Sequence, residues 1–495
     1  MATSDAPTGT TLARDAIGLR EVLFQSITHM APAAAVAFSI PAGINFGGGS
    51  TPLAVVFAIV ACMFVAISIG QLAKHLPSAG SFYTYASKGL HPSVGFLVAW
   101  AYALIEPLIG PLLVLILGIT VAGTLNTEFG WSADLWWPWA LLGAVLVFVL
   151  GYYGIRVSAR TGTLLGVFEV GVFVLLAIWL IAKAGSNNTF SVFTTKFANN
   201  PDFKGLSGVV AASVFTILAF IGFEAAAPLA EETRDPRRTI KQAVVYSCLG
   251  IGLFYMLTTY AASVFYGPAK TVGLVAAGNG DPWENILARQ AWGAGWVLVF
   301  LAIVNSAIAN ANSGSNAATR TYFAMGRIRL LPAIFARVHP KWQSPHVAVI
   351  GQFIVTVAVS LILGFAYDPL TAFILVATII TVVFIPIYMV VNLSCLAYYW
   401  RYERGEFNWF LHGLLPILGI IAFVPAFFAG AGIPVFKFIS RLPSPFSYAG
   451  PFAGAVMVIG LIYMAYLYRK DPTRLEATAR VFLDEESEPA GASTS

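Results

Sequence analysis

Apolar segments of about twenty residues recur along almost the whole chain, from about residue 22 to residue 469. A helix of that length spans the hydrocarbon core of a bilayer, which is about 30 Å thick. Only 10% of the 495 residues are charged, whereas soluble domains carry about 25%. The chain is therefore predicted to be an all-α integral membrane protein, and no separate soluble domain is indicated.

Twelve of these segments are long enough to be membrane spans. The first twenty residues are polar, and no short apolar core with a cleavage site follows them, so the first span is expected to be retained rather than removed as a signal peptide. We predict transmembrane helices at residues 22–46, 52–74, 92–124, 135–155, 161–183, 208–231, 240–266, 291–325, 345–365, 369–400, 410–430 and 449–469.

The basic residues indicate the orientation. If the N-terminus is cytoplasmic, 21 of the 28 Lys and Arg residues fall in cytoplasmic loops and tails. Basic residues are enriched on that side of membrane proteins, and a miscount by one span would scramble the bias. We expect both termini in the cytoplasm and the protein in the plasma membrane. Because topology explains most of the net charge of +5, no nucleic-acid partner is indicated.

The stretch 215–238 begins as a membrane helix and ends in a charged cluster. It contains Glu224, a carboxylate that would be costly in hydrocarbon and should therefore face protein or a water-filled cavity. Gly222 and Pro228 allow the helix to break beside it, which frees backbone N–H and C=O groups for a ligand. A broken helix with a buried acid indicates a transporter. The alternative is a kinked helix in which Glu224 satisfies loose backbone groups.

The first span has a second interruption, between Thr28 and Ala35. Pro32 removes one backbone donor and disfavours helix at Ala31, and the small side chains there let a ligand approach the main chain. A simple proline kink is the alternative for this stretch alone. Interruptions in spans one and six, however, are typical of an inverted repeat of five plus five helices with the substrate near the midplane.

This repeat predicts how the chain is divided. The transport core consists of two repeats, at about residues 21–184 and 207–400. In the outer loop before span eight, Asp281 is expected to cap a short surface helix. The predicted regions are a cytoplasmic N-terminal tail at 1–20, the transport core at 21–400, two accessory spans at 401–470, and a cytoplasmic tail at 471–495 that is expected to be disordered beyond about residue 483.

Enzymatic function is not indicated. The sequence has no His-Glu-x-x-His, no cysteine pair at ligand spacing, no glycine-rich phosphate loop and no Gly-x-Ser-x-Gly elbow. Its three cysteines, Cys62, Cys248 and Cys395, lie in apolar segments and are interpreted as packing residues. We therefore expect no metal and no cofactor. A channel would show a shorter repeated pore unit, whereas a permease-like sensor, which binds substrate without accumulating it, stays open as an alternative.

Several motifs, in their order and spacing, are similar to those of a known family. They are Pro77–Tyr85 after span two, Phe220–Glu224 followed by Ala230–Arg238 in and after span six, and Met325–Arg327 with Leu331–Val338 after span eight. On these residues the chain resembles the amino acid–polyamine–organocation permeases, which have the leucine-transporter fold. The resemblance covers the chain from about residue 18 to residue 470.

The resemblance implies that the substrate binds between the two interrupted helices. Its carboxylate would meet N–H groups of the first interruption and its ammonium group would meet carbonyls of the second, a polarity that the half-helix dipoles also favour. Pro32 cannot donate, so fewer N–H groups would hold a carboxylate here than in many relatives. The expected substrate-binding residues are Met30, Ala31, Ala33 and Ala34 in span one, and Phe220, Ile221, Gly222 and Phe223 in span six.

Four further residues are candidates around this site. Leu218 stands where some relatives have an aromatic gate, so that a phenylalanine of span six would cover the substrate instead. Asn310 in span eight would contact the substrate or a neighbouring helix. His29, beside the first interruption, is either a pH-sensing group or a satisfied core histidine. Glu106 in span three either binds a cationic group in the cavity or pairs with a neighbouring helix.

The driving ion is expected to act at Glu169 in span five. Aligned on the Ser-Ala-Arg sequence that ends at Arg160, Glu169 occupies the place where some proton-coupled relatives have a lysine instead of a bound sodium ion. It lies about 13 Å into the membrane from Arg160, at about 1.5 Å per residue. A carboxylate there could take up and release a proton as the cavity opens to each side. We expect proton coupling, with Glu224 as a secondary proton or gating group; sodium binding and simple helix pairing are the alternatives.

Together these inferences predict a secondary active transporter that imports an amino acid across the plasma membrane by proton symport and alternating access. Val338–Trp342 and the acid of span three also look like parts of polyamine importers, so a polyamine or other organic amine is the main alternative substrate, and amino acid exchange is another mode. The expected partners are the substrate, a proton or alternatively sodium, and the lipid bilayer. The sequence leaves the individual substrate, the coupling ion and the oligomeric state open.

Overall fold

The computed structural model describes residues 17–78, 80–154 and 159–479. Most of the predicted N-terminal tail, and the C-terminal end for which disorder is expected, lie outside the described residues. The described residues are mostly helical, which confirms the predicted all-α membrane class. Their strands are limited to Asn199–Asn200 and Phe203–Lys204, which pair antiparallel in a loop between two long helices.

Most of the fold consists of α-helices of eight or more residues. Most of them lie inside a predicted window or within a few residues of its bounds, but Ser81–Gly89 lies in none of the windows, and the helix that begins at Leu206 ends at Phe220, well before the predicted residue 231. They are α1 Leu19–His29, α2 Ile40–Gly47, α3 Thr51–His75, α4 Ser81–Gly89, α5 Pro92–Ile105, α6 Ile109–Phe129, α7 Trp136–Tyr152, α8 Ala159–Lys183, α9 Leu206–Phe220, α10 Pro236–Tyr266, α11 Trp296–Arg327, α12 His346–Tyr367, α13 Pro369–Arg401, α14 Leu415–Gly430 and α15 Ala449–Lys470.

Shorter helical pieces join or continue these helices. A 3₁₀ turn at Glu106–Leu108, which contains Pro107, connects α5 to α6. In the loop between α10 and α11, Asp281 accepts a hydrogen bond from the Glu284 N–H at 3.1 Å, at the start of the π-helical turn Trp283–Ala288. The carboxylate therefore caps a short helical segment, as the sequence predicts. The segment is not the expected surface helix, however, because four of its six residues are buried.

Eleven helical stretches within the described residues are long and apolar enough to cross a membrane. The first, Leu19–His75, has 57 residues and would be about 85 Å long if straight, nearly three times the thickness of the hydrocarbon core. It is interrupted between α2 and α3 at Gly48, which has φ +51° and where a Cβ would lie 2.7 Å from the Phe197 carbonyl oxygen. A division there would give twelve spans, but the number twelve and the inverted repeat stay predictions.

The helix α9 lies at the centre of the molecule. In the stretch Leu206–Ala230 that contains it, 89% of the most apolar window is buried, compared with 17% in Phe446–Lys470, which contains α15. α9 packs against α2, α3 and α13. Exposed apolar side chains of α15, such as Val458 and Ile462, lie on the outside, where lipid would cover them.

The first predicted interruption is present between α1 and Pro32. α1 ends at His29, and Ala31 then adopts the left-handed conformation, with φ 47° and ψ 65°. Such a conformation costs a residue other than glycine about 1 kcal/mol or more. Pro32 begins the next helical segment, Pro32–Ala34, which continues through the π-helical turn Ala35–Ser39 into α2. Met30 still has right-handed helical dihedral angles and caps α1, so the backbone leaves the helical conformation at Ala31.

The second predicted interruption follows α9. The helix ends at Phe220, Ile221 has φ −57° and ψ 122°, and Gly222 has φ 124°. The chain then continues as a ten-residue 3₁₀ helix, Phe223–Glu232, which contains Pro228. Gly222 fits closely against α1, because a Cβ on it would lie 2.6 Å from the carbonyl carbon of His29. The two interruptions are therefore in direct contact.

Candidate substrate site

A small cavity lies between the two interruptions. Its volume of about 20 Å³ is enough for one or two water molecules and too small for an amino acid or an amine. A substrate can therefore enter only if the surrounding helices move apart. The predicted site residues that line this cavity are His29, Met30, Ala31, Ala34, Leu218, Ile221 and Asn310.

The remaining predicted residues lie close by but do not line the cavity. Ala33 is fully buried beside Ala34. Phe220 packs edge-on against Tyr255, with ring centroids 5.3 Å apart, and Phe223 packs against Tyr388 at 5.5 Å. In this structure neither phenylalanine covers the cavity.

The start of the segment after Pro32 supplies hydrogen-bond donors. The first N–H groups of any helix have no acceptor within it. Pro32 has no N–H, so the first donors of this segment are Ala33 and Ala34. The positive end of a helix dipole and these N–H groups would favour an anionic group. Ala34 also lines the cavity, which places its backbone at the cavity wall.

The end of α9 supplies acceptors. Two of its last carbonyls are occupied, because Leu218 accepts from the Ile221 N–H at 3.0 Å and Ala219 accepts from the Tyr255 hydroxyl at 2.9 Å. The Phe220 carbonyl is the last of the helix, and a carbonyl at this position has no N–H donor within the helix. The negative end of the dipole would favour a cationic group. The two interruptions therefore present helix ends of opposite polarity to the same region.

His29 and Glu106 form a pair in the centre of the protein. Glu106 is completely buried, and its Oε1 lies 3.3 Å from His29 Nε2. The other ring nitrogen of His29, Nδ1, lies 3.2 Å from the Ser313 hydroxyl, which also accepts from the Gln25 amide at 2.8 Å. Glu106 thus pairs with a neighbouring helix and does not line the cavity, while His29 has a polar partner on both sides of its ring.

Asn310 holds the backbone of the first interruption in place. Its amide nitrogen donates to the His29 carbonyl at 2.6 Å, and the residue also lines the cavity. The bond to a neighbouring helix is thus present, and contact of Asn310 with the substrate stays a prediction.

Glu224 is buried, as the sequence predicts for a carboxylate at this depth. Its Oε2 accepts hydrogen bonds from the Gly222 N–H and from the Tyr388 hydroxyl, both at 3.0 Å. The bond to Gly222 stabilises the irregular backbone of the second interruption, and the bond to Tyr388 connects it to α13. Nothing in the sequence distinguishes Tyr388 from the other tyrosines of the apolar helices.

Glu169 is buried on α8, with 3% of its surface exposed. Its Oε2 lies 3.4 Å from the amide nitrogen of Asn305 on α11. α8 packs against α10, α11 and the segment Pro32–Ala34. The carboxylate is therefore on a helix that borders the first interruption, and the amide that it contacts is neutral.

The end of the molecule that holds the start of α1 is closed. Ile17 pairs with the loop after the 3₁₀ helix, through hydrogen bonds from the Ile17 N–H to Glu232 and from the Arg234 N–H to Ile17. Glu232 also forms an ion pair with Arg320 of α11, at 3.1 Å. These contacts join the start of α1, the end of the 3₁₀ helix and α11 at this end of the molecule.

Comparison with known proteins identifies the family. A family model described as amino acid permease matches residues 21–477 of the chain. The chain belongs to the amino acid permease family. The members of this family are transporters and not enzymes, so the predicted class of the permease is confirmed.

Curated relatives of the permease include importers of two kinds. The low-affinity putrescine importer PlaP of Escherichia coli K12 is 27% identical over 404 residues, which cover 79% of this chain and 82% of that relative. The branched-chain amino acid permease BcaP of Bacillus subtilis is 26% identical over 326 residues, which cover 62% of this chain and 65% of that relative.

A solved structure shows the same fold. The crystal structure of the Eremococcus coleocola manganese transporter matches with a TM-score of 0.50 and 11% sequence identity, covering 96% of the permease and 99% of that chain. At this identity the likeness concerns the fold alone. It confirms the transporter fold that the motifs predict.

The residues of α6 that line the cavity were not among those predicted from the sequence. Ile109, Leu112, Leu113 and Ile116 of this helix line it. Their spacing of three and four residues places them on one helical face, which was the available signal. That signal is weak in a membrane helix, because apolar residues also face lipid and neighbouring helices.

Replacing Ala34 with leucine should raise the KM of the permease for its substrate at least about tenfold. The added carbons would fill the small cavity beside the Ala33 and Ala34 N–H groups, at a cost typical of overpacking. Initial uptake rates in cells that express equal amounts of protein measure the effect. Ala182→Leu, at an exposed position on α8, is the matched control. An unchanged KM in Ala34→Leu would mean that the substrate binds elsewhere.

Proposed function

We propose that the permease imports an amino acid across the plasma membrane by alternating access, driven by proton symport. The observation that carries this proposal is the pair of helix ends of opposite polarity at one small cavity. An α-amino acid carries a carboxylate and an ammonium group on neighbouring atoms. The N–H groups at Ala33 and Ala34 suit the carboxylate and the carbonyls at the end of α9 suit the ammonium group.

An organic amine such as a diamine is the second candidate substrate. Two observations favour it: a putrescine importer is among the relatives, and Pro32 leaves few N–H groups for a carboxylate. Against it, Glu106 is already paired with His29 and does not line the cavity. An amine would then depend on carbonyls and on Glu224, whose Oε2 already accepts two hydrogen bonds.

Competition for uptake distinguishes the two substrate classes. The permease is reconstituted in liposomes, and uptake of a labelled amino acid is measured with an excess of the same unlabelled amino acid or of the amine that its decarboxylation gives. We expect the amino acid to compete at least about tenfold better, because it satisfies both helix ends. Stronger competition by the amine would establish an amine importer, and absence of accumulation for every amino acid and amine would favour a sensor.

Proton coupling is proposed on the environment of Glu169. The carboxylate is buried on a helix that packs against the segment at which the first interruption ends, and it contacts the neutral amide of Asn305. Such a group can bind a proton when the cavity is closed and release it to water when the cavity opens. Accumulation under an imposed pH gradient in sodium-free buffer would support symport. Accumulation only after addition of sodium would favour sodium coupling, and uptake only against internal substrate would favour exchange.

We also propose that both termini are cytoplasmic, that the transport core comprises residues 21–400 and that residues 401–470 form an accessory pair of spans. The distribution of basic residues supports this orientation. In a cysteine-free background, an impermeant thiol reagent on intact cells should label a cysteine at the exposed Asn187 and not one at the exposed Arg238. The opposite pattern of labelling would reverse the topology.

A further inference from the structure

The loop between α11 and α12, residues 328–345, carries positive charge and no negative charge. It contains Arg329, Arg337 and Lys341, and it has no aspartate or glutamate. All three basic side chains are exposed. Within the described parts of the chain, no carboxylate forms an ion pair with any of them. The described residues therefore leave the charge of this loop without a counterion.

Exposed apolar and aromatic side chains lie among these charges. Ile334 and Trp342 of the loop are exposed, and so is Tyr153, which follows α7. Trp342 packs edge-on against Tyr153, with ring centroids 5.1 Å apart, and the Lys341 ammonium group lies 4.5 Å from the centroid of the Trp342 ring. Aromatic side chains of this kind are enriched at the headgroup level of a membrane, and clustered basic residues are attracted to anionic lipids. The loop combines both.

The helices next to this loop present apolar side chains toward lipid. α12 begins at His346, directly after the loop, and its Ile350 and Ile354 are exposed. α7 ends beside the loop, and its Leu142 and Leu146 are exposed as well. Acyl chains that cover these side chains would have their headgroups at the level of the loop, because both helices end there.

Hydrogen bonds fix the part of the loop that contains Lys341 and Trp342. The Nδ1 atom of His339 accepts from the N–H groups of both residues, each at 3.2 Å. The Ser344 hydroxyl donates to the carbonyl of Tyr152, at the end of α7, at 2.6 Å. The loop is thus attached to α7 before any lipid binds, and a preformed surface loses little conformational freedom on binding.

We propose that this basic loop surface, formed by Arg329, Arg337, Lys341 and Trp342, binds the headgroups of anionic phospholipids in the adjacent leaflet. The phosphate supplies the negative charge that the described residues lack, and the acyl chains cover the apolar side chains of α7 and α12. The loop follows α11, whose Arg320 pairs with Glu232 at the closed end. A bound lipid would therefore hold this end of α11 at the membrane surface. The inference depends neither on the transported substrate nor on the coupling ion.

The test uses the double variant Arg337→Gln/Lys341→Gln, with Lys196→Gln/Lys204→Gln as the matched control. The control removes the same charge from exposed positions in the loop between α8 and α9, where the Lys196 ammonium group also lies over a neighbouring aromatic ring, that of Phe197, at 5.3 Å. The purified full-length permease in a neutral detergent is titrated with short-chain phosphatidylglycerol. The rise in melting temperature gives the affinity. Phosphatidylcholine of the same chain length and inorganic phosphate are titrated in parallel.

We expect phosphatidylglycerol to raise the melting temperature of the unmutated permease and of the control. It should bind Arg337→Gln/Lys341→Gln about thirtyfold less tightly, which corresponds to about 1 kcal/mol for each charge removed. A second measurement uses the unmutated protein alone. Because salt screens exposed charges, the affinity for phosphatidylglycerol should fall as the salt concentration rises, and the weak effect of phosphatidylcholine should stay unchanged.

Three outcomes would overturn the proposal. The first is an equal affinity for phosphatidylglycerol and phosphatidylcholine, or equal affinities for phosphatidylglycerol in the double variant and the control. The second is an equal stabilisation by inorganic phosphate, which would indicate a site for free anions. The third concerns the acidic residues at 484–488. A large gain in affinity for phosphatidylglycerol when the chain is ended at Ala479 would make the C-terminal tail, and not a lipid, the occupant of this surface.

Discussion

Alanine in place of Gly222 is expected to reduce uptake by about a hundredfold, which corresponds to about 3 kcal/mol. Two costs add in this variant. Gly222 has φ 124°, a conformation that side chains of L residues rarely adopt, and the new Cβ would lie 2.6 Å from the carbonyl carbon of His29. The carbonyl carbon of His29 belongs to the backbone and cannot move away by a change of rotamer. The two interruptions must therefore separate.

Uptake and thermal unfolding of the purified protein would measure this effect. Gly250→Ala is the matched control, because Gly250 lies in α10 with no atom within 4 Å of a Cβ. The control should keep uptake and gain slightly in stability, since alanine favours helix over glycine. Uptake by Gly222→Ala with unchanged KM and unchanged melting temperature would show that the contact between Gly222 and His29 is unimportant.

Glutamine in place of Glu169 is expected to abolish accumulation driven by a pH gradient while leaving exchange of internal for external substrate intact. Glutamine has nearly the same shape and can still bond to Asn305, but it cannot take up a proton. Exchange needs the substrate site and no net proton movement. The measurement uses liposomes in sodium-free buffer with an imposed pH gradient.

The control for this variant is Glu128→Gln, which removes an exposed carboxylate that is paired with Arg289 at 2.7 Å. It should accumulate substrate like the unmutated permease. Gradient-driven accumulation by Glu169→Gln equal to that of the control would remove Glu169 from the coupling mechanism. Loss of exchange as well as accumulation would place Glu169 in substrate binding or in the fold.

The position of the helices could be predicted from the sequence because membrane helices obey a simple rule. In lipid the backbone must satisfy its own hydrogen bonds, so an apolar segment of sufficient length is helical. The same rule makes an exception visible. Pro32, Gly222 and Pro228 stand inside apolar segments. In the structure the first interruption ends at Pro32, the second contains Gly222, and a 3₁₀ helix contains Pro228.

The partners of the buried polar groups could not be predicted in the same way. Glu106 and His29 both appeared as candidates, but their pairing depends on the rotation of α5 and α1 about their axes, which the sequence does not give. Tyr255 and Tyr388 show no distinguishing pattern at all. Their hydroxyl groups matter only because α10 and α13 bring them to the interruptions, a contact between residues far apart in the chain.

The 3₁₀ helix Phe223–Glu232 has a mechanical consequence. Ten residues rise about 2.0 Å each in this conformation and about 1.5 Å each in an α-helix, so the segment is about 5 Å longer than its α-helical form. A change to an α-helix would shorten the segment and bring Glu232 about 5 Å closer to Phe223. Its contacts to Arg320 and Ile17 would then break without rotation of any long helix. The length of the segment between the candidate site and the contacts of Glu232 can therefore change by about 5 Å.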